Sequence, residues 1–155
     1  MRYIFATALI LSTGPTMAQS EPLNLSCGGG GSATKIRDSS ANIYGSNGDY
    51  ATVQGTETSD VGFRDQVDVR LFSGDDRIRL PRIMLPPVRG GDNGWFKLKN
   101  VRSDERSITA SAAVNVINSP KVHIDRVAGT ISINGKAGSY SGQCQRIDLN
   151  AKPQF

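Results

Sequence analysis

The stretch IDRVAGTISINGKAGSYSGQC, residues 124–144, decides the fold class because apolar and polar residues alternate on both sides of a turn signal. Its Ala-Gly pair marks a reversal of the chain. A loop of two or four residues there places Ile124 opposite Ile133 and keeps Val122 and Ile131 on the same face. A loop of three residues would move Ile133 to the other face. The stretch is therefore interpreted as strands folded back on each other, a structure that requires no binding or catalytic motif.

Alternation at a spacing of two recurs along the chain, and no stretch long enough for a helix has apolar residues at spacings of three and four. The clearest strand is SITASAAVNVI, whose apolar face is formed by Ile108, Ala110, Ala112, Val114 and Val116. The segments DQVDVRLF and RIRL also alternate, and the SGDD between them predicts a hairpin. Residues 28–62 are poor in apolar side chains, so only short strands are predicted there, at 40–44 and 50–54. These patterns predict an all-β protein.

The chain has two cysteines, Cys27 near its start and Cys144 near its end. Tyr140 and Gly142 share a face with Cys144, and the predicted partner of their strand is LNLSC, residues 23–27. A disulfide between the cysteines would join the first strand to the last and stabilise the fold by about 4 to 5 kcal/mol on the chain-entropy model. The alternative, a lipidated Cys27, is disfavoured because it would leave Cys144 unpaired.

The first residues, MRYIFATALILSTGPTMAQS, have the order of a secretory signal peptide, with Arg2 ahead of an apolar run and small residues before Gln19. We expect residues 1–18 to be cleaved, which leaves residues 19–155 as a single β domain of a size that can bury a core. The apolar run is shorter than the roughly 20 residues of a membrane-spanning helix, so no membrane span is expected after cleavage. Export to the periplasm or the extracellular space would favour the disulfide.

The run GGGGSA, residues 28–33, fits the letters of a dinucleotide-binding fingerprint, but no helix or βαβ unit follows it, so a flexible turn is predicted. His123 is the one histidine and lies on the polar face of its strand, two residues from Asp125. A catalytic role would need a nucleophile and an acid to converge on it. A zinc site would lack ligands, and the paired acids at 75–76 and 104–105 fit hairpin turns. The sequence predicts no catalytic residue, no metal and no cofactor.

The most asymmetric feature is a basic segment, residues 77–102, with seven cations and one acid. The candidate anion-binding residues are Arg77, Arg79, Arg82, Arg89, Lys97, Lys99 and Arg102. Pairing of the strands in this segment would concentrate charge on one face, where a phosphate or carboxylate could bind. The simpler alternative is a solvated face whose charges prevent edge pairing. The proline-rich loop at 81–94 would either contact a partner with its apolar residues or plug one end of the sheet.

The segments FRDQVDVRL, RIRLPRIMLPP, GWFKLKNV, SITASAAVN, VHIDRVAG and YSGQCQ together resemble a group of small exported alphaproteobacterial proteins that share an I-D-R-x-x-G hairpin and a G-x-C ending. The resemblance covers about the last two-thirds of the predicted mature chain. Its most specific residues are Ile124, Asp125, Arg126, Gly129, Gly142 and Cys144. It implies export in a Gram-negative bacterium and an independent domain, and it implies no activity, cofactor or catalytic residue.

We therefore expect about eight antiparallel strands in a barrel or a barrel-like sandwich, with a two-sheet sandwich as the alternative. The expected function is non-enzymatic binding of an anionic partner in the cell envelope, which could be a glycan, a lipid headgroup or an acidic exported protein. The alternatives are an inhibitor of an exported enzyme that presents residues 81–94, and a small hydrolase that uses His123. Loss of Arg2 leaves 17 basic residues against 14 acidic ones, a balance too even to predict nucleic-acid binding.

Overall fold

The computed structural model describes residues 22–86 and 91–152, so the predicted leader lies outside the described residues. Within them are eight β-strands, one short 3-10 helix at Arg82–Met84 and no α-helix. The strands are β1 (Leu23–Tyr44), β2 (Tyr50–Leu71), β3 (Arg77–Arg79), β4 (Trp95–Ser103), β5 (Ser107–Ala112), β6 (Lys121–Asp125), β7 (Thr130–Gly135) and β8 (Gly138–Arg146). In this part of the chain no helix has the length and apolar character needed to cross a membrane.

The eight strands form one closed, barrel-like sheet, which we call the ring. Each strand pairs antiparallel with the next along the chain, and β1 pairs with both β2 and β8. Cys27 of β1 lies directly opposite Cys144 of β8, and the two form a disulfide with their Cα atoms 3.9 Å apart. The predictions of an antiparallel ring-like sheet and of a bond between its first and last strands are confirmed, whereas the two-sheet sandwich does not form.

The interior of the ring is filled with side chains. Inward-facing positions alternate with polar outward ones, and burial of each aliphatic side chain contributes about 1.5 to 3 kcal/mol. The buried residues contributed by the strands at this centre are Cys27, Val67, Val69, Ile78, Phe96, Leu98, Ile108, Ala110, Ala112, Val122, Ile124, Ile131, Ile133 and Tyr140. Groups that are free to bind a partner therefore lie on the outer face of the ring or at its two ends.

Strand β5 follows its predicted pattern up to its end and then departs from it. Val114 is buried as expected, but Val116 is fully exposed, so its predicted inward orientation is wrong. The strand stops at Ala112, and the Oδ1 atom of Asn115 accepts hydrogen bonds from the backbone N–H groups of Ile117 and Asn118. This side-chain turn directs the chain away from the sheet.

The hairpin between β6 and β7 forms with a different register from the expected one. Ile124 lies opposite Ile131, not Ile133, although Val122, Ile124, Ile131 and Ile133 all share the inner face as predicted. The loop has four residues and begins early because the Oδ1 atom of Asp125 accepts the N–H groups of Val127 and Ala128. The apolar pattern determines which face of the sheet each residue occupies. The carboxylate of Asp125, which forms the turn, determines which residue lies opposite on the neighbouring strand.

The glycine run at 28–31 is part of β1, so the predicted flexible turn is wrong. Gly29 and Gly31 point inward at a place where the backbone of β8 passes very close. A Cβ atom on Gly29 would overlap the carbonyl oxygen of Ser141, and one on Gly31 would overlap that of Ser139. The run lets the last strand approach the first closely, which closes the ring.

The first hairpin is much longer than the short strands predicted for it. β1 and β2 pair along their full lengths, ending at Tyr44 opposite Tyr50. In contrast, β8 pairs with β1 only as far as Ala33, and β3 pairs with only three residues of β2. Residues 35–44 and 50–59 therefore project from one end of the ring as a two-stranded ribbon, which we call the arm.

Candidate anion-binding surface

The outer face of β3 and β4 brings together most of the predicted cations. Arg77 lies opposite Lys97, and Arg79 lies opposite Trp95, while the residues between them point into the ring. Lys99 follows Lys97 on the same face of β4. The predicted hairpin between β2 and β3 also forms, with Asp75 and Asp76 in its turn, so the local elements of the basic segment are as expected.

The remaining predicted cations are divided. Arg82 is in the 3-10 helix at the end of the ring from which the arm projects, and it lines a cleft there. Arg102 lies beyond a bulge in β4, opposite Thr109, and is exposed on the same outer face as Lys99. Arg89 is outside the described residues. The seven cations of the segment therefore do not form a single cluster.

Two cations from outside the segment join the surface instead. Arg70 of β2 lies opposite Arg77, and Lys121 of β6 is separated from Lys99 only by Ser111 of β5. We call Arg70, Arg77, Lys97, Lys99 and Lys121 the cationic strip. Sequence reasoning missed Arg70 and Lys121 because they lie outside the basic segment, although the alternation of β2 already placed Arg70 outward.

Acidic residues offset part of this charge. The Nε atom of Arg77 lies 2.7 Å from the Oδ1 atom of Asp75, and its Nη1 atom lies 4.0 Å from Asp92. The hydrogen bond to Asp75 raises the pKa of Arg77 above its ordinary value. Arg79 pairs with Asp68 at 3.5 Å. These ion pairs neutralise part of the excess positive charge of the basic segment, which has seven cations and one acid in its sequence.

The lysines of the strip are the cations best placed to receive an anion. Lys97, Lys99 and Lys121 are all exposed. The guanidinium of Arg70 lies 4.4 Å from the centre of the Trp95 ring, a cation–π contact that holds this charge flat against the sheet. Neighbouring strands are about 4.8 Å apart, so the strip follows roughly 19 Å of the curved outer face from β2 to β6, which is half of the ring. This spacing fits a ligand with several negative charges better than a single phosphate.

His123 is exposed on the outer face of β6, between Thr109 and Ser132 of the neighbouring strands. The Oδ1 atom of Asp125 is engaged by the amides of its turn, and these hydrogen bonds lower the pKa of the carboxyl. Among the described residues, no hydrogen bond joins His123 to a hydroxyl or a carboxylate. Asp104 is engaged similarly by the N–H groups of Arg106 and Ser107, as expected of a turn residue.

The described part of the loop at 81–94 packs against the ring. Met84 and Leu85 are buried, and the 3-10 helix between Pro81 and Leu85 folds over the end from which the arm projects. This arrangement is the plug that the sequence allowed as one alternative. Residues 87–90, which include Val88, lie outside the described residues.

Comparisons with protein families, with curated proteins and with solved structures give no match. Across residues 22–86 and 91–152, no group of three histidine, cysteine, aspartate or glutamate side chains is arranged to hold a metal ion. Function is therefore inferred from the geometry of this chain alone.

Proposed function

We propose that the protein is an exported, non-enzymatic module that binds a multiply charged anionic component of the cell envelope through the cationic strip. The observation that carries the proposal is the succession of Arg70, Arg77, Lys97, Lys99 and Lys121 on the outer face of the ring from β2 to β6, along half of its circumference. Acid partners lie beside Arg77, whereas the three lysines are exposed.

The filled interior supports an outer-face site. Small ligands bind in concave, partly apolar pockets, and the centre of this ring is occupied by its own side chains. A rigid sheet can instead offer charges at fixed spacings to an extended polyanion. Each lysine near such a surface contributes about 1 kcal/mol, so the interaction depends on several weak contacts acting together.

The proposed location agrees with the chemistry of the chain. The Cys27–Cys144 disulfide is compatible with an oxidising compartment, and the leader predicted at residues 1–18 would direct export. Phosphorylated and carboxylated glycans or lipid headgroups are anions with the required multiple charges. These considerations favour an envelope component over a soluble metabolite.

Charge-removal variants test the proposal. The triple variant Lys97→Gln, Lys99→Gln, Lys121→Gln should bind immobilised phosphorylated lipopolysaccharide about a hundredfold more weakly, because three contacts of about 1 kcal/mol are lost. The matched control, Lys136→Gln, Lys152→Gln, Arg106→Gln, removes the same charge from positions outside the strip and should bind nearly as the parent does. Binding is measured as the dissociation constant of each protein at one fixed salt concentration. Equal shifts for the two triple variants would contradict a defined site.

The two alternatives have less support from the described residues. A hydrolase would need the exposed His123 to be linked to a nucleophile and an acid, and Asp125 is held by its turn. An inhibitor would need the loop at 81–94 to present apolar side chains, and Met84 and Leu85 are buried. Turnover of ester, glycoside or peptide substrates that is lost in His123→Ala would favour the first alternative, and capture of an exported enzyme by the loop would favour the second.

A further inference from the structure

The arm is an exposed ribbon with no neighbour in the fold. Its ten-residue strands extend about 33 Å from the ring, and both of its edges lack pairing partners within the described residues. Ile36, Tyr44 and Tyr50 are each at least 70% exposed, and Ile43 and Val53 are at least half exposed. A two-stranded hairpin alone is marginally stable in water, so an arm of this length favours association.

One face of the arm is apolar at its tip. The residues of this face alternate along both strands, and those at the tip are Ala41, Ile43, Ala51 and Val53. The opposite face is polar over most of its length, with Thr52 donating a hydrogen bond to Asn42 at 2.9 Å. The aliphatic side chains of the tip therefore lie on one face, whereas Tyr44 and Tyr50, whose rings stack with 6.4 Å between the centroids, lie on the other.

A cleft of about 570 Å³ lies at the base of the same face, where the arm meets the ring. Phe63, Ile83 and Leu85 form its apolar wall, and the charged residues Lys35, Arg64, Asp65 and Arg82 line the rest. Lys35 fixes one side of the cleft because its Nζ atom donates to the carbonyl oxygen of Ile83 at 2.8 Å. Phe63 lies ten residues from Val53 along β2, so the tip and the cleft are about one arm length apart.

Opposite charges lie between the tip and the cleft on this face. Arg37 of β1 is directly opposite Glu57 of β2, and their position is close to the midpoint between Val53 and Phe63. A second arm laid antiparallel on the first would place each tip over the other cleft. The twofold rotation also stacks β1 on β1 and β2 on β2, so each Arg37 lies nearest the partner's Arg37, and the neighbouring Glu57 offsets this like charge. The order of apolar, charged and apolar groups along the arm therefore matches itself under a twofold rotation.

We propose that two copies of this chain associate by packing these arm faces together, antiparallel. Ile43 and Val53 of each copy enter the cleft lined by Phe63, Ile83 and Leu85 of the other. A second copy is favoured over a different partner because the face provides both halves of the contact at matching distances. About ten side chains from each arm take part, which is fewer than in a standard interface, so a dissociation constant on the order of micromolar is expected.

Sedimentation velocity on the purified protein, from roughly 1 to 200 µM, tests the association. The parent should change from monomer to dimer over this range. Ile43→Asp with Val53→Asp should weaken the dimer at least about tenfold, because exposed residues of the tip are lost without loss of the core. Ile36→Asp with Gln54→Asp, on the opposite face of the same arm and not paired with each other, is the matched control and should leave the dimer unchanged. A parent that stays monomeric, or a control as weak as the tip variant, would overturn the proposal.

Charge exchange tests the antiparallel arrangement. Arg37→Glu and Glu57→Arg should each weaken self-association about tenfold, because all four charges at the centre of the contact then have the same sign. An equimolar mixture of these two variants should form a mixed dimer at least as tight as the parent dimer, because an acid then faces a cation at each position. A mixture that associates no better than either variant alone would overturn this arrangement. The cationic strip lies outside the contact, so its triple lysine variant should dimerise as the parent does.

Discussion

Tyr140 illustrates how a single residue joins three strands. Its side chain is 2% exposed, and its hydroxyl lies 2.7 Å from the carbonyl oxygen of Cys27 and 3.0 Å from that of Asp65. Its ring stacks on Phe63 with 6.2 Å between the centroids. β8 is therefore held to β1 and β2 close to the base of the arm.

Removal of this hydroxyl should destabilise the protein. Tyr140→Phe leaves a buried carbonyl without its donor, so we expect the free energy of unfolding in urea to fall by about 1 to 2 kcal/mol. Tyr44→Phe, at an exposed tip position, is the control and should change it by less than about 0.5 kcal/mol. An equal effect of the two substitutions would contradict the assigned hydrogen bond.

The same variant should alter the response to alkali. Burial raises the pKa of the Tyr140 hydroxyl above its usual 10.0, and the charges of Asp65 and Asp68 add to this. The hydroxyl therefore keeps its proton to a higher pH in the folded state than in the unfolded state. Its contribution to the free energy of unfolding is fully present below pH 10 and is lost as the pH rises through the pKa of the folded state. Unfolding measurements above pH 10 should show a smaller loss of stability for Tyr140→Phe than for the parent.

At the scale of elements, the path of β1 depends on small residues. Gly31 faces the ring interior next to the backbone of β8, whereas Gly28 faces open space. The two positions are in the same strand and differ in what a methyl group would meet. Substitutions at the two positions therefore distinguish two effects: the clash of an added side chain with β8, and the general conformational cost of a glycine in a strand.

A pair of alanine substitutions tests this difference. Gly31→Ala should lower the free energy of unfolding by about 2 kcal/mol, because β8 must shift to accept the added carbon. Gly28→Ala should be neutral or slightly stabilising. Chemical denaturation of both variants gives the comparison. A Gly31→Ala protein as stable as Gly28→Ala would mean that β8 does not approach β1 this closely.

Several elements were predictable because burial leaves a clear pattern. The alternation at Val67 and Val69 predicted β2 near the ring, and the SGDD turn predicted its hairpin with β3. The length of the arm was not predictable, since polar strands such as residues 35–44 carry no burial signal. The register at Ile124 also failed, because a side-chain hydrogen bond from the turn decided it.

The whole molecule was predictable in outline from two observations. Period-two burial predicted one sheet, and Cys27 and Cys144 at its two ends predicted closure. A bond across a separation of 117 residues restricts the unfolded chain strongly, which adds to the stability of the ring. The cationic strip was predictable only in part, because Arg70 and Lys121 reach it through pairing of strands that are distant in sequence.

Closure of the sheet is the central claim, since it fills the interior and limits the proposed binding sites to the outer face and the arm. NMR measurement of nuclear Overhauser effects between backbone protons tests it most directly, at positions away from the sulfur atoms. We predict contacts from Gly31 to both Phe63 of β2 and Tyr140 of β8, and from Ala33 to both Val61 and Gly138. Contacts from β1 to β2 alone would show an open sheet and would contradict this structure.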